Sequence, residues 1–361
     1  MAYTTIDNPG LFFNTVLYSG DSSSTRSISG VGFKPDWVLI KRRNGTAPNN
    51  TYDVVRGASK QLVPSDTSAE TTDNQYGYVS GFESDGFEVT GGSTNLARVN
   101  SSSGTYVSWN WLAANGTTSN SNGNTASTVS ANTTAGFSIV TWTGTGSDTT
   151  VGHGLSSAPE MYVVKNRSDS ANWRVGQTVA GNTMTGGNGY YMEWDDTKAS
   201  TNPGSATTWG STPTAPTNQV FTVGSSNTMN GSSDDMLAYC FHSVKGYSKL
   251  GSYIGNGSTD GTFVYTGFKP AFFMQKRTDV ANGWHVFDTK RDTFNDCNRY
   301  ITVNASSSEP SGTAYCDLLS NGVKMRRNGN DINASGATYF YMAFAENPFV
   351  TAGTKAAGTA R

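Results

Sequence analysis

Five carboxylates raise the first question of chemistry: Glu193, Asp195, Asp196, Asp234 and Asp235. Two acids flanking a glycosidic bond suffice to hydrolyse it, one donating a proton while the other attacks or activates water. Adjacent acids on an extended strand project to opposite faces, however, so Asp195-Asp196 and Asp234-Asp235 read as solvated turn residues. A second candidate is Cys240-Phe241-His242, which puts a thiol and an imidazole on one face of a strand, as a pair of zinc ligands would need. The remaining ligands would come from Cys297, Cys316 or His285, none of them at a recognised spacing. His153 lies among turn-forming glycines ahead of Pro159 and reads as a turn or surface residue, not a general base. The sequence has no Gly-x-Ser-x-Gly elbow, phosphate-binding loop or zinc-protease motif. It therefore predicts a non-enzyme with no catalytic residues, no cofactor and no metal.

What does recur is a basic pair: Lys41-Arg42, Lys165 with Arg167, and Lys276-Arg277. Three equivalent basic spots suit contact with an acidic neighbour or an anionic polymer. The plainer reading is that their aliphatic stems cover a strand end and their charges pair with a local Asp. Trp37, Trp111, Trp142, Trp173 and Trp284 fit core positions. Trp194 and Trp209, in Gly/Ser/Thr-rich surroundings, are candidates for stacking on sugars, with core or interface packing as the better fit. Lys41, Arg42, Lys165, Arg167, Lys276, Arg277, Trp194 and Trp209 together are the candidate contact surface.

These residues sit in a repeat. From Gly20, Gly144 and Gly255, each closing an aromatic-x-Gly triplet, the count to Pro35, Pro159 and Pro270 is 15 every time, and Lys41, Lys165 and Lys276 follow six later. Trp173 and Trp284 stand eight beyond their lysines, the first copy carrying Tyr52 after a short insertion; Asp53-Val54-Val55-Arg56 then corresponds to Asp288-Thr289-Lys290-Arg291. Each copy closes on an Asn, an apolar residue six later and an aromatic eleven later: Asn100, Tyr106, Trp111; Asn230, Met236, Phe241; Asn333, Tyr339, Phe344. The sequence thus predicts repeats over 1–116, 131–245 and 246–350, a polar linker over 117–130 and a tail over 351–361. The second and third repeats, with almost nothing between them, should pack directly on each other.

Within a repeat the signals are β. Val38-Leu39-Ile40, Tyr162-Val163-Val164 and Phe272-Phe273-Met274 are short apolar runs of the kind that form strands buried on both faces. Alternation marks Phe137 to Trp142 and Tyr339 to Phe344, and Asn-Gly and Asp-Gly pairs supply turns. The best helix candidate, Asp53 to Gln61, is short. An all-β chain of three tandem β-sandwich or jelly-roll-like repeats follows.

Composition sets the limits. The 361 residues carry a formal net charge of -2, only 14% are charged, and 12% are aromatic. That aromatic content is far above that of a disordered chain, and no clustered positive surplus exists to bind nucleic acid. No apolar run is long enough to span a membrane, and the start lacks the pattern of a signal peptide. Three cysteines form no disulfide framework, in keeping with assembly in a reducing cytosol.

Gly32-Phe33-Lys34-Pro35-Asp36-Trp37-Val38-Leu39-Ile40-Lys41-Arg42, Gly251 to Gly257 and Ala343-Phe344-Ala345-Glu346-Asn347-Pro348-Phe349 resemble virion structural proteins of tailed bacteriophages, particularly marine ones. The likeness covers almost the whole chain. It implies a virion protein assembled in the host cytoplasm, tail-associated or fibre-like first and capsid-decorating second. Its partners would be other virion proteins, further copies of itself and a host-surface glycan, with no nucleic acid and no membrane insertion. A carbohydrate-binding or polysaccharide-degrading envelope protein is the alternative from another class. The sequence does not choose between a linear rod and a pseudo-threefold body.

Overall fold

The computed structural model describes residues 4–72, 75–185 and 189–349, so the expected tail over 351–361 lies outside the described residues. Repeat 1 contributes β1 (Phe13–Ser19), β2 (Thr25–Ser29), β3 (Trp37–Arg42), β4 (Asn50–Asp53), β5 (Tyr78–Glu83), β6 (Gly86–Thr90) and β7 (Thr105–Trp111). They form a four-stranded sheet, β1-β7-β3-β4, over a three-stranded one, β2-β6-β5. Repeat 2 holds β8 (Thr118–Asn120), β9 (Ser127–Asn132), β10 (Phe137–Thr143), β11 (Thr149–Gly152), β12 (Met161–Asn166), β13 (Arg174–Gln177), β14 (Met192–Glu193), β15 (Val220–Val223) and β16 (Asp235–Phe241). Here a seven-stranded sheet, β14-β13-β12-β16-β10-β9-β8, faces the pair β11-β15. Repeat 3 contains β17 (Ser248–Ile254), β18 (Phe263–Tyr265), β19 (Phe268–Arg277), β20 (Trp284–Asp288), β21 (Ile301–Thr302), β22 (Cys316–Leu319), β23 (Gly322–Met325) and β24 (Thr338–Pro348). Its sheets are β17-β24-β19-β20-β21 and β18-β23-β22. All strand pairs are antiparallel, and the protein is all-β and sandwich-like.

The Gly, Pro and Lys frame falls on equivalent places in all three. Lys41 pairs with Val107, Lys165 with Leu237 and Lys276 with Phe340, each beside the strand that closes its repeat. A Cβ on Gly20, Gly144 or Gly255 would lie 2.0, 1.9 or 2.1 Å from the carbonyl oxygen of Ser101, Gly231 or Ala334, so no side chain fits there. The preceding Asn of each pair is buried: Asn100 Oδ1 accepts from Asp21 N, Asn230 Oδ1 from Thr145 N and Asn333 Oδ1 from Asn256 N, at 3.1 to 3.2 Å. Their amides donate back to Asp21 and Ser23, to Thr145 and Ser147, and to Asn256 and Ser258.

Strand alternation sorts side chains into two kinds of core. Val38, Ile40, Tyr52 and Tyr106 face the small sheet of repeat 1 with Ile28, Phe87 and Val89; repeats 2 and 3 have matching private cores around Tyr162 and Phe221, and around Phe273 and Leu318. The opposite faces, with Trp37, Trp109 and Trp111 of repeat 1, Phe137, Tyr239 and Phe241 of repeat 2, and Phe272, Met342 and Phe344 of repeat 3, merge into one shared core. Trp37 stacks on Trp111 at 4.2 Å and on Tyr239 at 4.4 Å, and Phe13 on Phe344 at 4.9 Å between ring centroids. Burial of strands on both faces, expected from the apolar runs, follows from this double use.

Three expectations change. Residues 117–130 are not a flexible linker: β8 and β9 form a hairpin added to the edge of β10, with Val129 buried at 4% exposure. An edge strand is held by backbone hydrogen bonds, so its sequence needs no apolar cluster. The helix considered over 53–61 is a turn held by Asp53, whose Oδ1 accepts from the N–H groups of Val55 and Arg56. The first repeat has no insertion either: Asn49 occupies the position of Trp173 and Trp284, while Tyr52 belongs to the private core.

Candidate functional site

The chemistry-bearing residues gather at three seams where one repeat meets the next. After β4, β13 and β20 each repeat extends an arm, and the segments 63–70, 193–200 and 302–309 of these arms lie against repeats 2, 3 and 1 respectively. Arm and neighbour are tied by the same two backbone hydrogen bonds each time. Ala171 N donates to Thr67 O and Glu70 N to Arg167 O; Asn282 N to Thr197 O and Ser200 N to Thr278 O; Ala47 N to Ser306 O and Glu309 N to Arg43 O, all between 2.7 and 2.9 Å. The three sandwiches therefore close head to tail into a pseudo-threefold ring about the shared aromatic core. Of the two arrangements left open by the sequence, this is the pseudo-threefold body.

The repeated lysines are the pins of these seams. Lys165 Nζ donates to Ala171 O at 2.7 Å and to Thr67 O of the arm at 2.9 Å. Lys41 binds Ala47 O at 2.7 Å and Ser306 O at 3.2 Å, and Lys276 binds Thr197 O at 3.0 Å and Arg277 O at 2.9 Å. All three have 0% exposure. An ammonium in such a place loses water and gains only neutral carbonyls; burial lowers Lys41 and Lys165 to about 8 and Lys276 to about 7, from an ordinary 10.5. Eight residues on, Trp173 Nε1 donates to Val63 O and Asp66 O, Trp284 Nε1 to Glu193 O, and Asn49 takes the same role with Thr302 O, Val303 O and Ala305 O.

Two seams carry a buried chain of alternating charges. Asp53 Oδ2 accepts from Arg56 Nε at 2.5 Å and from Tyr239 OH of repeat 2 at 2.7 Å. Arg56 then meets Glu70 at 3.1 Å, and Glu70 meets Arg167 of repeat 2 at 2.8 Å. The seam from repeat 3 to repeat 1 repeats it: Asp288 with Arg291 at 2.5 Å and with Trp109 Nε1 at 3.1 Å, Arg291 with Glu309 at 3.3 Å, Glu309 with Arg43 at 2.9 Å. Burial works to raise the Glu70 carboxyl, but Arg167 and Arg56 outweigh it and hold it below the usual range. Burial likewise opposes the Arg56 charge, and Asp53, Tyr239 and Glu70 overcome it.

The candidate contact residues are accordingly divided between interior and surface. Lys41, Lys165 and Lys276 are internal, because the neighbouring arm supplies carbonyls that sequence proximity does not reveal. Arg167 serves its seam, but its counterpart in repeat 1 is Arg43; Arg42 lies outside, bonded to Asn44 and Ser103. Arg277 pairs with Asp279 at 2.8 Å. Trp194 is 1% exposed in the shared core, 6.0 Å from Trp173, and Trp209 is 0% exposed against Tyr162, so neither ring is open to a sugar. The seam residues beyond that set include Asp53, Arg56, Glu70, Asp288, Arg291, Glu309 and Arg43; the correspondence of Asp53 to Arg56 with Asp288 to Arg291 was the visible signal for four of them.

The acids considered for sugar hydrolysis are held in local ion pairs and hydrogen bonds. Glu193 is bound by Arg174 and Lys198, and burial raises Asp195, which accepts from Trp173 N and Asn172. Asp196 holds Lys198 at 3.2 Å, Asp234 accepts from Asn166 at 2.7 Å, and Asp235 lies 3.9 Å from Arg167. His153 is buried and not at the surface, between Thr217 O and Leu155 N. Cys240 packs in the private core of repeat 2 and His242 lies against Ser243 O. Among the described residues, no three His, Cys, Asp or Glu side chains stand close enough together to hold a metal ion. Among the described residues, no helix is long and apolar enough to cross a membrane.

The chain belongs to the DUF7483 family, a domain of unknown function whose profile matches residues 8–348. The match runs through all three sandwiches. No curated protein sequence matches the chain.

Proposed function

We propose that this protein is a non-enzymatic structural component of a bacteriophage virion, tail-associated or fibre-like, that works by contact with other virion proteins and with the host surface. The observation that carries the reading is the closed ring: three quasi-equivalent sandwiches share a core filled by aromatic rings, and two of their seams are tied by buried ion networks. Such a body gains its rigidity from large packed interfaces and asks for no cofactor. Its pseudo-threefold form favours one second reading, decoration of a capsid at a threefold position, because a single chain can there present three similar faces.

Imaging of intact particles with the protein labelled tests both. Label on the tail is the expected result, and label distributed over the capsid supports the second reading. Purified particles that lack the protein, or normal assembly and adsorption without it, would overturn the structural role. Release of reducing sugar from host polysaccharide, lost in Glu193→Gln, would favour a polysaccharide-degrading enzyme instead.

A further inference from the structure

Two of the three cysteines face each other. Cys297 and Cys316 are partners in an antiparallel bridge, and Cys297 N donates to Cys316 O at 2.7 Å. Partners in such a bridge hold their Cα atoms about 4.5–5.5 Å apart, inside the roughly 4.4–6.8 Å window that a disulfide spans. Both side chains lie in the private core of repeat 3, at 1% and 0% exposure, and both are free thiols. Burial and the neighbouring Cys297 thiol keep the Cys316 thiol well above its ordinary range.

The position matters more than the proximity. The chain between the two cysteines contains β21 and the arm segment 302–309, with Ser306 against Lys41 and Glu309 against Arg43 and Arg291. This arm makes the seam between repeats 3 and 1, which no direct linker joins, whereas the other two seams unite repeats consecutive in the chain. The other two arms contain no cysteine, since the third, Cys240, lies in β16.

We propose that Cys297 and Cys316 are an oxidisable pair whose disulfide ties together the two ends of the third arm and thereby secures the seam that closes the ring. The reaction needs a disulfide oxidant such as oxidised glutathione. One cysteine gives up its proton and its sulfur displaces a glutathione thiolate, forming a mixed disulfide; the other, also deprotonated, displaces the second glutathione. Two protein thiols and one glutathione disulfide become one protein disulfide and two glutathione thiols. Because both sulfurs are buried, oxidation occurs as the arm folds or when it lifts. A protein assembled in a reducing compartment would acquire the bond after leaving it.

The test uses the full chain, both refolded from denaturant and incubated folded, in a buffer of oxidised and reduced glutathione. It is followed by alkylation in denaturant and peptide mass spectrometry. The expected result is a Cys297–Cys316 linked peptide with Cys240 alone alkylated. The Tm should rise by about 5 °C, as closure of a loop of roughly this size implies, and fall back with dithiothreitol. Cys297→Ser should abolish the gain, and Cys240→Ser should leave it. Three alkylated cysteines after both treatments, a bond that includes Cys240, or a linked product with unchanged or lower Tm would overturn the proposal.

Discussion

The seam from repeat 1 to repeat 2 and the seam from repeat 2 to repeat 3 share every backbone tie and the buried lysine, yet differ in all the charges between them. Where the first has Asp53, Arg56, Glu70 and Arg167, the second has Gln177, Ala180, Ser200 and Thr278, and Met342 stands where Tyr239 reaches across. Gln177 reproduces the local part of the role of Asp53: its Oε1 accepts from Val179 N and Ala180 N, while its Nε2 donates to Ala180 O and Asn182 O. The seam geometry therefore does not require the ions. Why the positions change as a set follows from desolvation: a complete buried network roughly offsets the cost of its burial, whereas one missing partner leaves a charge with neither water nor counter-ion.

That difference predicts the largest effects. Glu70→Gln should destabilise by about 3–5 kcal/mol in denaturant unfolding, because Arg56 and Arg167 remain buried around a neutral group. Glu309→Gln should do the same at the seam between repeats 3 and 1. Importing the whole neutral set into the first seam (Asp53→Gln, Arg56→Ala, Glu70→Ser, Arg167→Thr, Tyr239→Met) should cost less than Glu70→Gln alone, within about 2 kcal/mol of the parent. A fivefold variant less stable than the single one would break the equivalence of the seams and make the charges indispensable to the first.

How far this was legible depends on the distance between partners. The Gly, Pro, Lys and Asn frame was readable because its members recur at fixed offsets, and the private cores followed from strand alternation. The fate of Lys41 was not, because the carbonyl of Ser306 that receives it lies 265 residues away. A lysine is almost never fully buried without a partner, and that partner was out of sight. Trp194 and Trp209 follow the core packing that was the better fit, Trp194 in the shared core and Trp209 in the private core of its own repeat against Tyr162, although their small polar neighbours also allowed an exposed loop. Residues 117–130 carry no apolar signal because an added edge strand is recognised through its backbone.

The lysines are common to charged and neutral seams, and they predict an intermediate effect with a definite sign. Each binds its proton less tightly folded, at about 7 to 8, than unfolded, at 10.5. Between those values the unfolded chain holds more protons, so stability rises with pH, while below about pH 7 the penalty is constant. The denaturation midpoint should therefore increase from pH 7 to pH 9.5, by at least about 1 kcal/mol in unfolding free energy. Above about pH 10 the rise should reverse, because Tyr52 and Tyr239 resist ionisation when buried and ionise first in the unfolded chain. Lys276→Met should flatten the lower part of the rise, since this lysine has the lowest folded value. A midpoint that falls steadily from pH 7 to 9.5 would show that these ammonium groups are better solvated than the seams allow.

The smallest effect separates seam from surface within one pair of neighbours. Arg43 closes a buried network through Glu309, whereas Arg42, one residue earlier, alternates to the other side of the chain and bonds only exposed Asn44 and Ser103. Arg42→Ala should alter unfolding free energy by less than about 0.5 kcal/mol, as exposed polar contacts exchange with water at little cost. Arg43→Ala should fall in the class of Glu309→Gln. If the two arginine variants are equally mild, the charges at the closing seam act as surface groups, and closure of the ring rests on its backbone ties, the buried lysine and the aromatic core alone.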